Sequence, residues 1–145
     1  MAEEQHRIDQ LIYRSHDEDT KLDYFILGAT LAICAYLAQT NPYGELGINK
    51  ETFLLGSLLV FASSAIYGFK RLEAKLILMY DNAKALQIRD PDTRRRKLNE
   101  LNGRSIERIT RLYRIRNRLL FAGLACYLAT KVWAAYQNNG WIPVH

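Results

Sequence analysis

Residues 89 to 97 read RDPDTRRRK, the densest charge in a chain of 145 residues with a formal net charge of +5. A guanidinium presents a planar fork of donors that matches a phosphate or a carboxylate, whereas an ammonium acts as a point charge. Arg94, Arg95, Arg96 and Lys97, with Arg104, Arg108 and Arg111 further on, therefore form a candidate anion-binding set. Eight basic residues fall between Arg94 and Arg114, a density suited to a nucleotide, an oligonucleotide or an acidic protein. Two plainer readings compete with it. One is a solvated basic face; the other is pairing with the acidic N-terminal residues Glu3, Glu4, Asp9, Asp17, Glu18 and Asp19.

Other chemistry is sparse. His6, His16 and His145 share no ligand spacing with one another or with Cys34 and Cys126, so neither a metal site nor a cofactor is expected. No glycine-rich phosphate loop is present and no carboxylate interrupts the apolar runs, so the chain reads as a non-enzyme. Two cysteines imply no disulfide framework.

What positions the arginines is a set of apolar runs. Tyr24 to Gly44 is uncharged over 21 positions, Thr52 to Phe69 over 18, and Leu119 to Thr130 over 12, the last continuing past Lys131 to Tyr136. About 20 apolar residues in a helix cross a hydrocarbon core of about 30 Å. Charge is segregated to match: residues 70 to 118 carry 15 Lys or Arg against 6 Asp or Glu, a net of +9, and no Lys or Arg follows Lys131. Basic residues collect on the cytoplasmic side of membrane helices. The expected fold is thus all-α, an integral membrane protein with three transmembrane helices. Its N-terminus and residues 70 to 118 lie in the cytoplasm, and its C-terminus lies outside. Trp133, Tyr136 and Trp141 gather where the third span would leave the bilayer, while Tyr43 and Phe53 flank the outer loop. The 23 residues before the first run are acidic rather than basic, unlike a cleavable leader.

Four segments follow. Residues 1–21 form a cytoplasmic amphipathic segment with Ile8, Leu11 and Ile12 on one side. Residues 22–69 form a transmembrane hairpin around the outer loop 40–51, where Pro42, Gly44 and Gly47 break helix and Asn49 caps the next one. Residues 70–118 form a basic helical hairpin, and 119–145 the third span with a short outer tail. Within the basic hairpin, Leu72, Leu76, Met79, Ala83 and Leu86 are spaced as a heptad seam, expected to face Ile106, Ile109, Leu112 and Tyr113. The first arm is expected to end near Arg89, with Asp92 capping a short helix that Asn102 and Gly103 stop, and Ser105 starting the last one. The tip then stands about 30 Å from the bilayer, beyond the reach of headgroup charge.

Polar side chains inside the runs give a second candidate set, for a pore lining or for helix packing: Thr30, Ser57, Ser64, Thr130 and Lys131. Lys131 at membrane depth either snorkels to the outer interface or faces a pore. Small residues recur every four positions, at Gly28 and Ala32, Ser64 and Gly68, and Ala122, Cys126, Thr130 and Ala134, which favours close helix association in lipid.

In the order of its parts, residues 3 to 89 resemble the SLATT-type small membrane effectors of bacterial nucleotide-linked defence systems. Those have a short cytoplasmic helix, a membrane hairpin and a long cytoplasmic helical extension; the third apolar run after Arg118 is additional to that plan. The resemblance implies a homo-oligomeric pore in the bacterial inner membrane, gated through its cytoplasmic part by a nucleotide signal in antiviral defence. The expected function is therefore an ion pathway formed or gated by several copies, with the basic hairpin sensing an anion. The alternative is a non-enzymatic accessory or scaffold subunit, its hairpin docking an acidic protein within a larger membrane complex.

Overall fold

A computed structural model of the chain describes residues 2–44 and 46–138. Three α-helices account for nearly all of them: α1 (Ala2–Thr40), α2 (Lys50–Leu86) and α3 (Pro91–Asn138). All three are long and apolar enough to cross a membrane. Helix α2 is central, packing against α3 along its whole length and against α1 over their shared part. Neighbouring helices run antiparallel, so the loop 41–49 marks one end of the shared part, here the loop side, and the α2–α3 turn marks the hairpin side.

Local chemistry sets the ends. Asn49 sits in extended backbone, and its Oδ1 accepts from the Thr52 amide at 2.9 Å and the Thr52 hydroxyl at 2.8 Å, as expected for the cap of α2. α2 stops at Leu86, three residues before the expected end, where Gln87 and Ile88 donate to Lys84 and Ala85 in a tightened last turn. The cap of α3 is Asp90 rather than Asp92. Its carboxylate accepts from the Thr93 amide at 2.9 Å, and Pro91 takes the first helical position, where a missing N–H costs nothing. The hydrogen bond from the Thr93 side chain, then the one from its amide, hold the Asp90 carboxyl below the usual carboxylate range. The cap is therefore fully formed above the ordinary carboxylate value and lost as pH falls through that lowered one.

The helices are fewer and longer than the sequence suggests. α1 runs unbroken through residues 20 to 24, and α3 runs through Asn102 and Gly103 without a stop. One glycine costs a helix only about 1 kcal/mol, too little to break a helix packed against α2 along its length. Gly103 is exposed, and a Cβ placed there meets nothing within 4 Å. Gly103→Ala should therefore raise stability by about 1 kcal/mol, seen as a higher melting temperature in mild detergent.

The α2–α3 hairpin is present, but α2 turns a different face to its partner. In the shared part the buried positions include a line of Ser57, Phe61, Ser64, Gly68 and Arg71, spaced four, three, four, three, with Leu54 and Ala65 beside it. A straight helix cannot rotate its face, and that line continues through Ala74, Leu78, Asn82 and Ala85 with only slow drift. Ala74 and Ala85 are buried, and Asn82 meets Asn102 across the pair. The heptad seam points elsewhere: Leu76, Met79 and Leu86 stay 60–70% exposed. Of the amphipathic N-terminal face, Leu11 is exposed, and the side chains of Ile8 and Ile12 lie outside the described part, as does Trp141.

Candidate functional site

Each helix carries a charged residue on its packing seam. On α1, Asp23 is followed by Leu27, Thr30, Cys34 and Leu37; on α2, Arg71 lies on the line that starts at Ser57; on α3, Arg116 is followed by Leu120, Gly123, Tyr127 and Thr130. The three charges meet at one level, on the hairpin side of the apolar runs. Asp23 is 1% exposed, Arg116 2% and Arg71 6%. Counted from that level, the shared helices extend about 26, 32 and 30 Å to Thr40, Lys50 and Tyr136, close to the thickness of a hydrocarbon core.

Asp23 is the hub. Its Oδ1 accepts from Arg116 Nη1 at 2.8 Å and from Arg71 Nη1, while its Oδ2 accepts from Lys75 Nζ at 2.5 Å. One turn further out, Asp19 accepts from Lys75 at 2.6 Å and from Arg71 at 3.3 Å. The Tyr113 ring lies under both guanidiniums, 4.5 Å from Arg71 and 5.2 Å from Arg116, so its π-face adds a cation site. Three cations thus share two carboxylates, leaving one positive charge in excess. Consistent with that excess, Arg71 Nε and Arg116 Nη2 are buried and have no acceptor among the described residues. A buried charge network needs nearly full pairing to offset its desolvation, so the cluster tolerates few arrangements and pins the three helices in one rotation and one vertical register.

Beneath it the packing is close. Ser64 donates to the Arg116 carbonyl at 2.9 Å, a bond from α2 to α3. A Cβ at Gly68 would lie 3.2 Å from Leu27 Cδ1, and one at Gly123 would lie 3.3 Å from the Phe61 ring. These glycines are where backbones approach, as small residues allow between helices in lipid.

The expected pore or packing set falls into two groups. Thr30, Ser57, Ser64 and Thr130 are buried inside the three-helix unit. Thr30, Ser57 and Thr130 donate to carbonyls one turn back, at 2.7, 3.0 and 2.8 Å. Lys131 is exposed instead, with Nζ 5.7 Å from the Tyr127 ring centre. The small-residue pairs divide likewise: Ser64 and Gly68 are buried, whereas Gly28 and Ala32 face outward.

The expected anion set lies on the first third of α3. Because that helix is unbroken, Arg94, Lys97, Arg104, Arg108 and Arg111 share one stripe at steps of three, seven, four and three residues, about 26 Å long. Arg95 and Arg96 lie off it. All are exposed save the half-buried Arg94. Their only ion pairs among the described residues are local, Lys97 to Glu100 at 4.0 Å and Arg104 to Glu100 at 3.3 Å, and such surface pairs contribute little. Among the described residues the acidic segment reaches the hairpin at its base, through Asp19 and Asp23; the side chains of Glu3, Glu4 and Asp9 lie outside the described part. Among the described residues, no group of three or more His, Cys, Asp or Glu side chains is placed to hold a metal.

Sequence reasoning overlooked the ion cluster because Arg116 stands between Arg114 and Arg118 and looks like one more topology charge. The signal was its phase. Arg116 keeps step with Ile109, Leu112 and Gly123, on the packing side, while Arg114 and Arg118 do not. No protein-family model, no curated protein and no solved structure matches the chain.

Proposed function

We propose that this chain is a non-enzymatic, homo-oligomeric protein of the bacterial inner membrane that forms or gates an ion pathway, under control of an anion bound at its basic hairpin. The reading rests on one observation: α2 and α3 pass without a break from the arginine-rich turn, through the buried ion cluster, to the loop side. A force applied at the turn therefore reaches the apolar region through rigid rods, and the Asp23 cluster couples them to α1. The charge asymmetry favours placing the hairpin in the cytoplasm.

A single copy buries the hydroxyls of Thr30, Ser57, Ser64 and Thr130 in packing, so a wet path in this reading runs between copies, where the exposed Lys131 supplies a polar group. The open stripe of Arg94, Lys97, Arg104, Arg108 and Arg111 suits a polyvalent phosphate such as a nucleotide or oligonucleotide. The test is ion flux in proteoliposomes across a panel of nucleotides. Substituting Lys97, Arg104 and Arg108 with Gln should raise the activating concentration about tenfold or more, since each lost charge-assisted bond is worth about 1.5–3 kcal/mol. Membrane insertion should not change. A silent protein that stays monomeric in mild detergent under every ligand would favour the scaffold alternative, with an acidic protein on the same stripe.

A further inference from the structure

Beyond the half-buried Leu72, the heptad seam that α2 withholds from α3 is exposed. Phe69, Leu72, Leu76, Met79, Ala83 and Leu86 follow one another at three- and four-residue steps along one face of the helix. Leu76 is 61% exposed, Met79 69% and Leu86 60%, with Tyr80 beside them at 70%. No charged residue occupies the line. Leu86 lies about 22 Å beyond the level of Arg71, so lipid that covers the shared part of the three helices does not reach it. A contiguous exposed apolar stripe rimmed by polar residues is a common mark of an interaction surface.

We infer that this seam is the surface on which a second copy of the chain docks, its α2 running parallel, on the hairpin side of the membrane. The inference rests on the homo-oligomeric membrane reading and adds where the copies touch. Three features select this occupant. Copies inserted in one orientation are related by an axis along the membrane normal, which lays their α2 helices parallel. A three–four apolar seam is self-complementary in that geometry, because each knob meets its equivalent from the partner. The seam is also continuous with Phe69 at the edge of the shared part, so copies that touch there can zip upward without a break. Lys75, the charge of α2 nearest it, is held by Asp19 and Asp23 on α1, Glu73 and Lys84 lie to the other flank, and the arginine stripe belongs to another helix, so parallel pairing buries no unpaired like charges.

Disulfide trapping in native membranes provides the test. In a Cys34→Ala, Cys126→Ala background, Met79→Cys should give covalent dimers on mild oxidation. Ile77→Cys, on a neighbouring face of the same helix, should give at least fivefold less. Leu76→Glu with Met79→Glu, both at exposed positions that leave the monomer's own packing intact, should raise the concentration for half-assembly in detergent about tenfold or more. Equal trapping at 77 and 79 overturns the inference, as does an oligomer indifferent to the two glutamates. Trapping of Met79→Cys to a different protein, in place of itself, also overturns it. If the chain is monomeric throughout, the homo-oligomeric reading falls as well; if it is oligomeric without the Met79 crosslink, only the seam does.

Discussion

Asp23→Asn should be the most damaging single substitution in the chain, lowering stability by about 3–5 kcal/mol, the range for stripping one partner from a buried ion pair. Arg71, Lys75 and Arg116 all converge on that carboxylate. Without its charge, three cations face only Asp19, whose side chain is 45% exposed and which Arg116 does not contact. Against a usual folding stability of about 5–15 kcal/mol, that loss is a large fraction. The measurement is thermal or denaturant unfolding in mild detergent, followed by helicity and by the reactivity of Cys34 and Cys126.

The cations should behave differently. Arg116→Met removes one of three positive charges and leaves two cations with two carboxylates, a balanced set. An apolar side chain of similar length fills the space beside Gly68, so a cost well under that of Asp23→Asn is expected. Adding Arg116→Met to Asp23→Asn should recover part of the loss, with a coupling of about 0.5–3 kcal/mol in the double-mutant cycle. Equal damage from the two single changes would show that Asp23 is not the hub.

The contrast between Arg116 and its neighbours also explains how far the sequence can be read. Run length and charge segregation alone lead to three helices of membrane-crossing length, because those depend on composition. Asn49 is legible as a cap because capping is local. Helix ends at Asn102 and Gly103 are misread, because an isolated glycine carries the same sign in a loop and in a long helix whose packing overrides it. The α2 face is misread for a related reason. The heptad of Leu72 to Leu86 is the most apolar line on that helix, yet the span below it has already committed the face of Ser57, Phe61, Ser64 and Gly68, and a straight helix carries that choice upward. Polar seam residues such as Ser64, Asp23 and Arg116 score as exposed in any hydropathy count. Only their phase against Leu27, Phe61 and Gly123 reveals them, and that phase becomes decisive once three helices are brought together.

The second large effect is expected at Gly123. A Cβ there would sit 3.3 Å from three atoms of the Phe61 ring, and Phe61 is itself 1% exposed, with nowhere to swing. Gly123→Leu must therefore push α3 away from α2 where Gly123 meets the Phe61 ring. Overpacking of this kind costs about 1–3 kcal/mol. The displacement reaches the Ser64–Arg116 bond two turns along α3, and through it the ion cluster, so Gly123→Leu should also raise the reactivity of Cys126 in detergent. Gly28→Leu is the matched control: Gly28 is exposed with nothing within 4 Å of a Cβ, so the change should cost nothing and, as at Gly103, raise stability by up to about 1 kcal/mol. Shrinking the obstacle should restore the pair, so Phe61→Ala combined with Gly123→Leu is expected to be more stable than either alone. Should Gly28→Leu prove as costly as Gly123→Leu, the tight α2–α3 contact would not be what sets the spacing of the helices.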